Sequence, residues 1–164
     1  MRIFGVVESF AFYVPSRDSF ENPPGVRDVW FTNAAGQRLH GWLLVPPDAS
    51  GPAPAVLHVH GNAGNVEGHL AFSRFLVDHG FAVFVFDYRG YGRSDAPGRR
   101  LQRADLMDDT RAALDALLRI PEIDPARVSV YGVSIGNAFS TSLAAERSEV
   151  RAVVAAAPFS GWSR

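Results

Sequence analysis

The sequence contains no cysteine. Disulfides, thiolate metal sites and thiol nucleophiles are therefore excluded, and the redox compartment stays open. It contains no lysine either, since all 16 basic residues are arginine. A Walker A lysine, a Schiff-base lysine and a Ser-Lys dyad cannot exist in it. No apolar run approaches the ~18 residues of a membrane span. The opening MRIFGVVESF, cut by Glu8, makes a poor secretory leader. A cytoplasmic location is the expectation, with anchoring or export if the natural N-terminus lies upstream. Excess charge is missing too. Sixteen basic and 17 acidic residues leave a net −1 at pH 7, which favours neither nucleic acid nor an anionic membrane as a partner. What is present is ordinary for a globular chain. The 164 residues are 47% apolar, enough for one domain that buries about 70% of its unfolded surface.

Residues 1–25 read as an irregular N-terminal segment, broken by Pro15, Pro23, Pro24 and Gly25. Residues 26–164 read as one α/β unit. Val26 to Thr32 and Leu39 to Val45, joined by Asn33-Ala34-Ala35-Gly36, make an antiparallel hairpin. Strand and helix patterns then alternate. Ala55 to His60 is a strand, and Val66 to His79 a helix with Leu70, Phe72, Phe75, Leu76 and Val77 inward and Gly80 as C-cap. Phe81 to Phe86 is a continuous apolar run, as for a strand covered on both faces. Leu101 to Ile120 is a helix, Arg127 to Tyr131 a strand, Asn137 to Arg147 a helix and Val150 to Ala157 a last strand. The alternation predicts a mainly parallel sheet.

Chemistry concentrates in Gly132-Val133-Ser134-Ile135-Gly136, between the Arg127 strand and the Asn137 helix. A G-x-S-x-G at a strand-to-helix turn is the nucleophile elbow of α/β-hydrolases. The tight turn strains the serine backbone and lifts its hydroxyl clear of the sheet. The glycines let neighbouring backbone approach without a Cβ in the way. Free N–H groups at the helix start favour developing negative charge. The second motif is His60-Gly61-Asn62-Ala63-Gly64-Asn65, directly after a strand. In a hydrolase such a loop supplies one backbone N–H of an oxyanion hole, and the residue after the nucleophile, Ile135, supplies the other.

The ordered set HGNAGN, DYRGYGRS and GVSIGNAFS resembles that of α/β-hydrolases, in particular the serine aminopeptidase-like (S33) and BEM46-like hydrolases. The hairpin RDVWFTNAAGQRLHGWLLVPP is similar to the entry strands of that family, so the resemblance runs from about Val26 to Ala157. It implies an α/β-hydrolase fold, with a mainly parallel sheet, an antiparallel N-terminal hairpin and truncation after the sixth strand. It implies a serine hydrolase of esterase, lipase or peptidase type, acting on a small-molecule ester or amide through an acyl-enzyme, without cofactor or metal. Ser134 would be the nucleophile, and Asn62 and Ile135 the oxyanion donors. His60, Gly61, Gly132 and Gly136 would support them, His60 as a hydrogen-bonding prop rather than the base. Asp87 and Arg89 are expected to hold their own loop by local hydrogen bonds.

The sequence departs from the family at the acid and the base. Triad order is Ser, then Asp or Glu, then His. All five histidines precede Ser134, and only Glu146 and Glu149 follow it as acids. Each further strand-helix unit takes ~30 residues. The chain is therefore expected to be the N-terminal part of a longer enzyme and inactive alone, with Val150 to Ala157 left as an open apolar edge prone to pair with other chains. Two alternatives stand. Gly61-x-x-Gly64-x-x-x-Gly68 followed by Asp87 resembles a short-chain dehydrogenase loop for NAD or NADP. Against it stand the preceding hairpin and the missing catalytic lysine. The other alternative is a non-catalytic homologue.

Overall fold

The computed structural model describes residues 13, 16, 17 and 20–157. Most of the expected irregular N-terminal segment lies outside the described residues, as does the terminal 158–164. Among the described residues, six strands form one sheet in the order β1-β2-β4-β3-β5-β6. They are β1 (Arg27–Thr32), β2 (Arg38–Leu44), β3 (Ala53–Val59), β4 (Ala82–Asp87), β5 (Ile123–Val133) and β6 (Val150–Ala156). The hairpin forms as the sequence predicts, with Trp30 opposite His40. Its turn is shaped by Asn33, whose side-chain oxygen accepts from the N–H groups of Ala35 and Gln37. β2 pairs antiparallel with β4. The pairs β3–β4, β3–β5 and β5–β6 are parallel.

Side chains alternate between two apolar layers, as the two-residue period of a strand requires. Leu43, Leu57, Val59, Phe84 and Phe86 face one layer, where they meet Leu106, Leu114 and Leu117 of α2 (Arg103–Leu118) and Phe139 and Leu143 of α3 (Gly136–Glu146). Trp42, Leu44 and Val85 face the other, with Val66 and Leu70 of α1 (Val66–Leu70). Every residue of β4 is buried, which explains its unbroken apolar run. β6 closes the described sheet as an edge, and its Val153 and Val154 are exposed.

Two expectations are corrected. The helix predicted over Val66 to His79 is broken after one α-helical turn, and a 3-10 segment spans Arg74–His79. The hinge is Ser73, which is buried and bonds His58 Nδ1 through its hydroxyl at 2.8 Å. The N–H of Ser73 reaches back three residues to Leu70, and that of Leu76 three residues to Ser73. A three-residue turn rotates the apolar stripe away from its α-helical line. Phe72 and Phe75, expected inward, are consequently 51% and 55% exposed. Gly80 still ends the segment, in the left-handed conformation. The second correction is that β5 starts at Ile123 rather than Arg127, because Ala53 at the start of β3 pairs with Ile123.

Candidate active site

Ser134 sits where β5 gives way to α3, with only Ile135 between it and the first helical residue. Its φ is 54°, one of two positive values at non-glycine positions among the described residues. A non-glycine residue held there stores backbone strain of order 1–3 kcal/mol. The flanking glycines follow from close packing of backbone. A Cβ on Gly136 would lie 2.0 Å from the Val59 carbonyl oxygen, and one on Gly132 would lie 2.8 Å from Asn137 Cα. No side chain fits at either position, which accounts for the spacing of the motif. Ile135, 5% exposed, stands at the N-terminal end of α3, where backbone N–H groups lack intrahelical acceptors.

The His60–Asn65 loop leaves the end of β3 and backs onto this turn. A Cβ built on Gly61 would be 3.5 Å from Ser134 Cβ and 3.5 Å from the Val133 carbonyl oxygen. The structure thus brings Ser134 and Gly61 side by side, with half-buried Asn62 next along the chain. Both ends of the loop are fixed. Asn65 caps α1 by accepting the Glu67 N–H at 3.0 Å, and the buried Asp87 carboxylate accepts the Val66 N–H at 2.9 Å.

His60 is fully buried. Its Nδ1–H donates to the Gly61 carbonyl at 2.8 Å, and the Tyr88 hydroxyl donates to the His60 carbonyl at 3.0 Å. Burial pushes the imidazole well below its ordinary value, and nearby His69 adds to this. It is a neutral ring that props the loop and forms no hydrogen bond with Ser134 among the described residues. His69, in α1, joins it. Its Nε2–H donates to the Ala63 carbonyl at 2.7 Å, and its ring stacks on His60 at 4.7 Å. Burial lowers its pKa, against the opposing pull of the Ala63 carbonyl and Asp87. Its signal in the sequence is position. A helical side chain covers the turn N-terminal to its own Cα, and His69 lies four residues after the Asn65 cap.

Asp87 and Arg89 do more than the expected local bonding. The Asp87 carbonyl does accept the Ser94 hydroxyl, but its carboxylate reaches α1 and His40. The Arg89 guanidinium crosses to α2, where it meets Asp109 at 2.6 Å, Asp108 at 2.5 Å and Asp105 at 3.3 Å. The dehydrogenase alternative fails on the same geometry. Asp87 has no exposed surface to offer a ribose, and the helix after the glycines is five residues long. Glu146 and Glu149 pair with Arg111 and Arg147 around the far end of α3. Among the described residues no histidine–carboxylate pair meets Ser134.

Residues 50–164 match the family described as serine aminopeptidase, S33. The chain belongs to this α/β-hydrolase family. Among similar proteins, the serine aminopeptidase-family chain is 32% identical to the uncharacterized protein YfhR of Escherichia coli K12, over 96% of this chain and 56% of YfhR. It is 39% identical to the uncharacterized protein Rv2307c of Mycobacterium tuberculosis, over 89% of this chain and 50% of that protein. The chain thus spans about half the length of the curated relatives it matches. Acetyl xylan esterase 1 from Thermoanaerobacterium superposes with a TM-score of 0.69 at 28% identity, covering 88% of this chain and 51% of the esterase. The fold is that of the α/β-hydrolases, with the antiparallel pair at its N-terminal side and parallel strands after it.

Proposed function

We propose that this chain carries the nucleophile and the oxyanion hole of a serine hydrolase acting on small-molecule esters or amides. The observation that carries the reading is the backbone of Ser134, held at positive φ directly against Gly61 of the preceding loop. Ser134 Oγ attacks the carbonyl carbon, the leaving group departs, and an acyl-enzyme forms that water hydrolyses. The N–H groups of Asn62 and Ile135 stabilise the tetrahedral oxyanion, each contributing about 10²–10³ in rate. Gly132 and Gly136 permit the elbow, the loop lies against it at Gly61, and His60 and His69 hold that loop from behind. A histidine to take the Ser134 proton, and its orienting carboxylate, are expected from sequence after Arg164 in the whole protein. An ester is favoured as substrate by the likeness to acetyl xylan esterase 1.

The test uses the natural full-length protein with p-nitrophenyl esters of increasing acyl length. The expected result is a burst of one p-nitrophenolate per Ser134, absent in Ser134→Ala. A natural gene ending at Arg164 would instead favour a non-catalytic homologue, because no triad histidine would then exist.

A further inference from the structure

The proposed nucleophile is held by a side chain that the G-x-S-x-G motif does not include. Asn137, on the first turn of α3, is 7% exposed. Its Nδ2 donates to the Ser134 carbonyl at 2.8 Å and to the Ala156 carbonyl at 2.9 Å. The same two carbonyls receive backbone donors. The Ser134 N–H donates to Ala156 O at 3.0 Å, and the Asn137 N–H donates to Ser134 O at 3.1 Å. One amide group thus ties together the strained elbow, the start of α3 and the end of β6. Immediately after that end, Ala157 takes the other positive φ among non-glycine residues, 47°.

The orientation of the amide follows from its partners. Both are carbonyl oxygens, which only accept, so only the NH2 end of Asn137 can face them. Its Oδ1 is thereby turned to a buried position with no hydrogen-bond partner among the described residues. The unpaired buried acceptor is the cost of turning both amide donors toward the two carbonyls. Close packing leaves no room for a substitute from the opposite side, since Gly132 already lies against Asn137 N and Cα.

We infer that Asn137 is the positioning residue of the nucleophile: it holds Ser134 in its left-handed conformation and locks the end of β6 to the elbow. The inference rests on the reading of Ser134 as nucleophile, but its geometry can be tested without catalysis. In the 164-residue chain, serine is labelled with carbon-13 at Cα and Cβ and observed by NMR, in solution or as a sediment. The Ser134 signal is identified by its loss in Ser134→Ala. It should show the shift of a left-handed backbone in the wild type. Asn137→Ala should move it toward the ordinary range while Ser73 and Ser129 stay in place. Asn137→Asp should do the same at neutral pH and return toward the wild-type position in acid, when the protonated carboxyl regains one donor. In the unmutated protein, the Asn137 amide protons should exchange more slowly than those of exposed Asn22, a readout that needs no variant to fold. A Ser134 signal unmoved in both variants, or rapid exchange of the Asn137 amide protons, would overturn the proposal. A Ser134 that shows the clamp but never reacts with a serine probe would count against the hydrolase reading alone.

Discussion

Two loops leave the same edge of the sheet, after β3 and after β4, and they are built for different work. The first, His60 to Asn65, is small side chains and backbone, braced from beneath by neutral imidazoles. The second, from Asp87 to Gly98, is locked by charge. Arg89 alone meets three carboxylates of α2. Backbone offered to a substrate in the proposed site has to be bare, so its support comes from behind, from neutral imidazoles along the loop and from the Asp87 carboxylate at its far end. A loop that only has to stay in place can be fastened by buried ion pairs. Rigidity of the second loop comes from Arg89 and its carboxylate partners, while the proposed chemistry lies with the turn at Ser134 and the loop opposite.

The comparison predicts that damage to the two loops reads out differently. Arg89→Ala leaves Asp105, Asp108 and Asp109 without their central cation, and breaking a buried pair costs about 3–5 kcal/mol. Urea titration should show that loss. A loss below about 1 kcal/mol would mean that the second loop is held by something other than charge.

Acid should separate the loops next. Burial above all, with His69 adding, lowers His58 to about 3, and burial lowers His60 and His69 as well. A histidine whose folded value is depressed binds its proton more readily when unfolded. Stability from these groups is therefore present above ~6.5 and is lost as pH falls toward the folded value. Each such histidine costs up to about 1.4 kcal/mol per pH unit in that window. Melting temperature should fall between pH 7 and pH 5, and His58→Gln should flatten the slope. Hydrogen exchange should show the His60–Asn65 loop opening before the Asp87–Gly98 loop. Simultaneous opening would remove the distinction between them.

Much of this was legible in the chain. The elbow showed itself because backbone of Asn137 crowds Gly132 and backbone of Val59 and His60 crowds Gly136, so no other residue fits at either and the constraint leaves a spacing behind. β4 was legible because burial on both faces erases polar residues from it. The break at Ser73 was not, since it depends on a hydrogen bond to His58, fifteen positions earlier, that no helical period encodes. His69 was missed although its target lies shortly before it in the chain, while Asn137 was missed because one of its carbonyls, that of Ala156, is brought close only by the fold.

The smallest effect on stability should come from His69. His69→Leu removes one donor from the Ala63 carbonyl, worth about 1 kcal/mol, yet it loosens the backbone next to Asn62. In the full-length protein, p-nitrophenyl ester turnover should fall more than stability does, with His69→Gln recovering part of it through its amide donor. Equal loss in both variants would make His69 a packing residue only.

The central claim is that Ser134 is the nucleophile, and the most direct measurement is covalent. Full-length protein is treated with a serine-directed phosphonate and analysed by intact mass and peptide mapping. The account predicts one adduct, on Ser134, and none in Ser134→Ala. An adduct that persists in Ser134→Ala, or a full-length protein carrying a downstream histidine and acid that never labels, would contradict it.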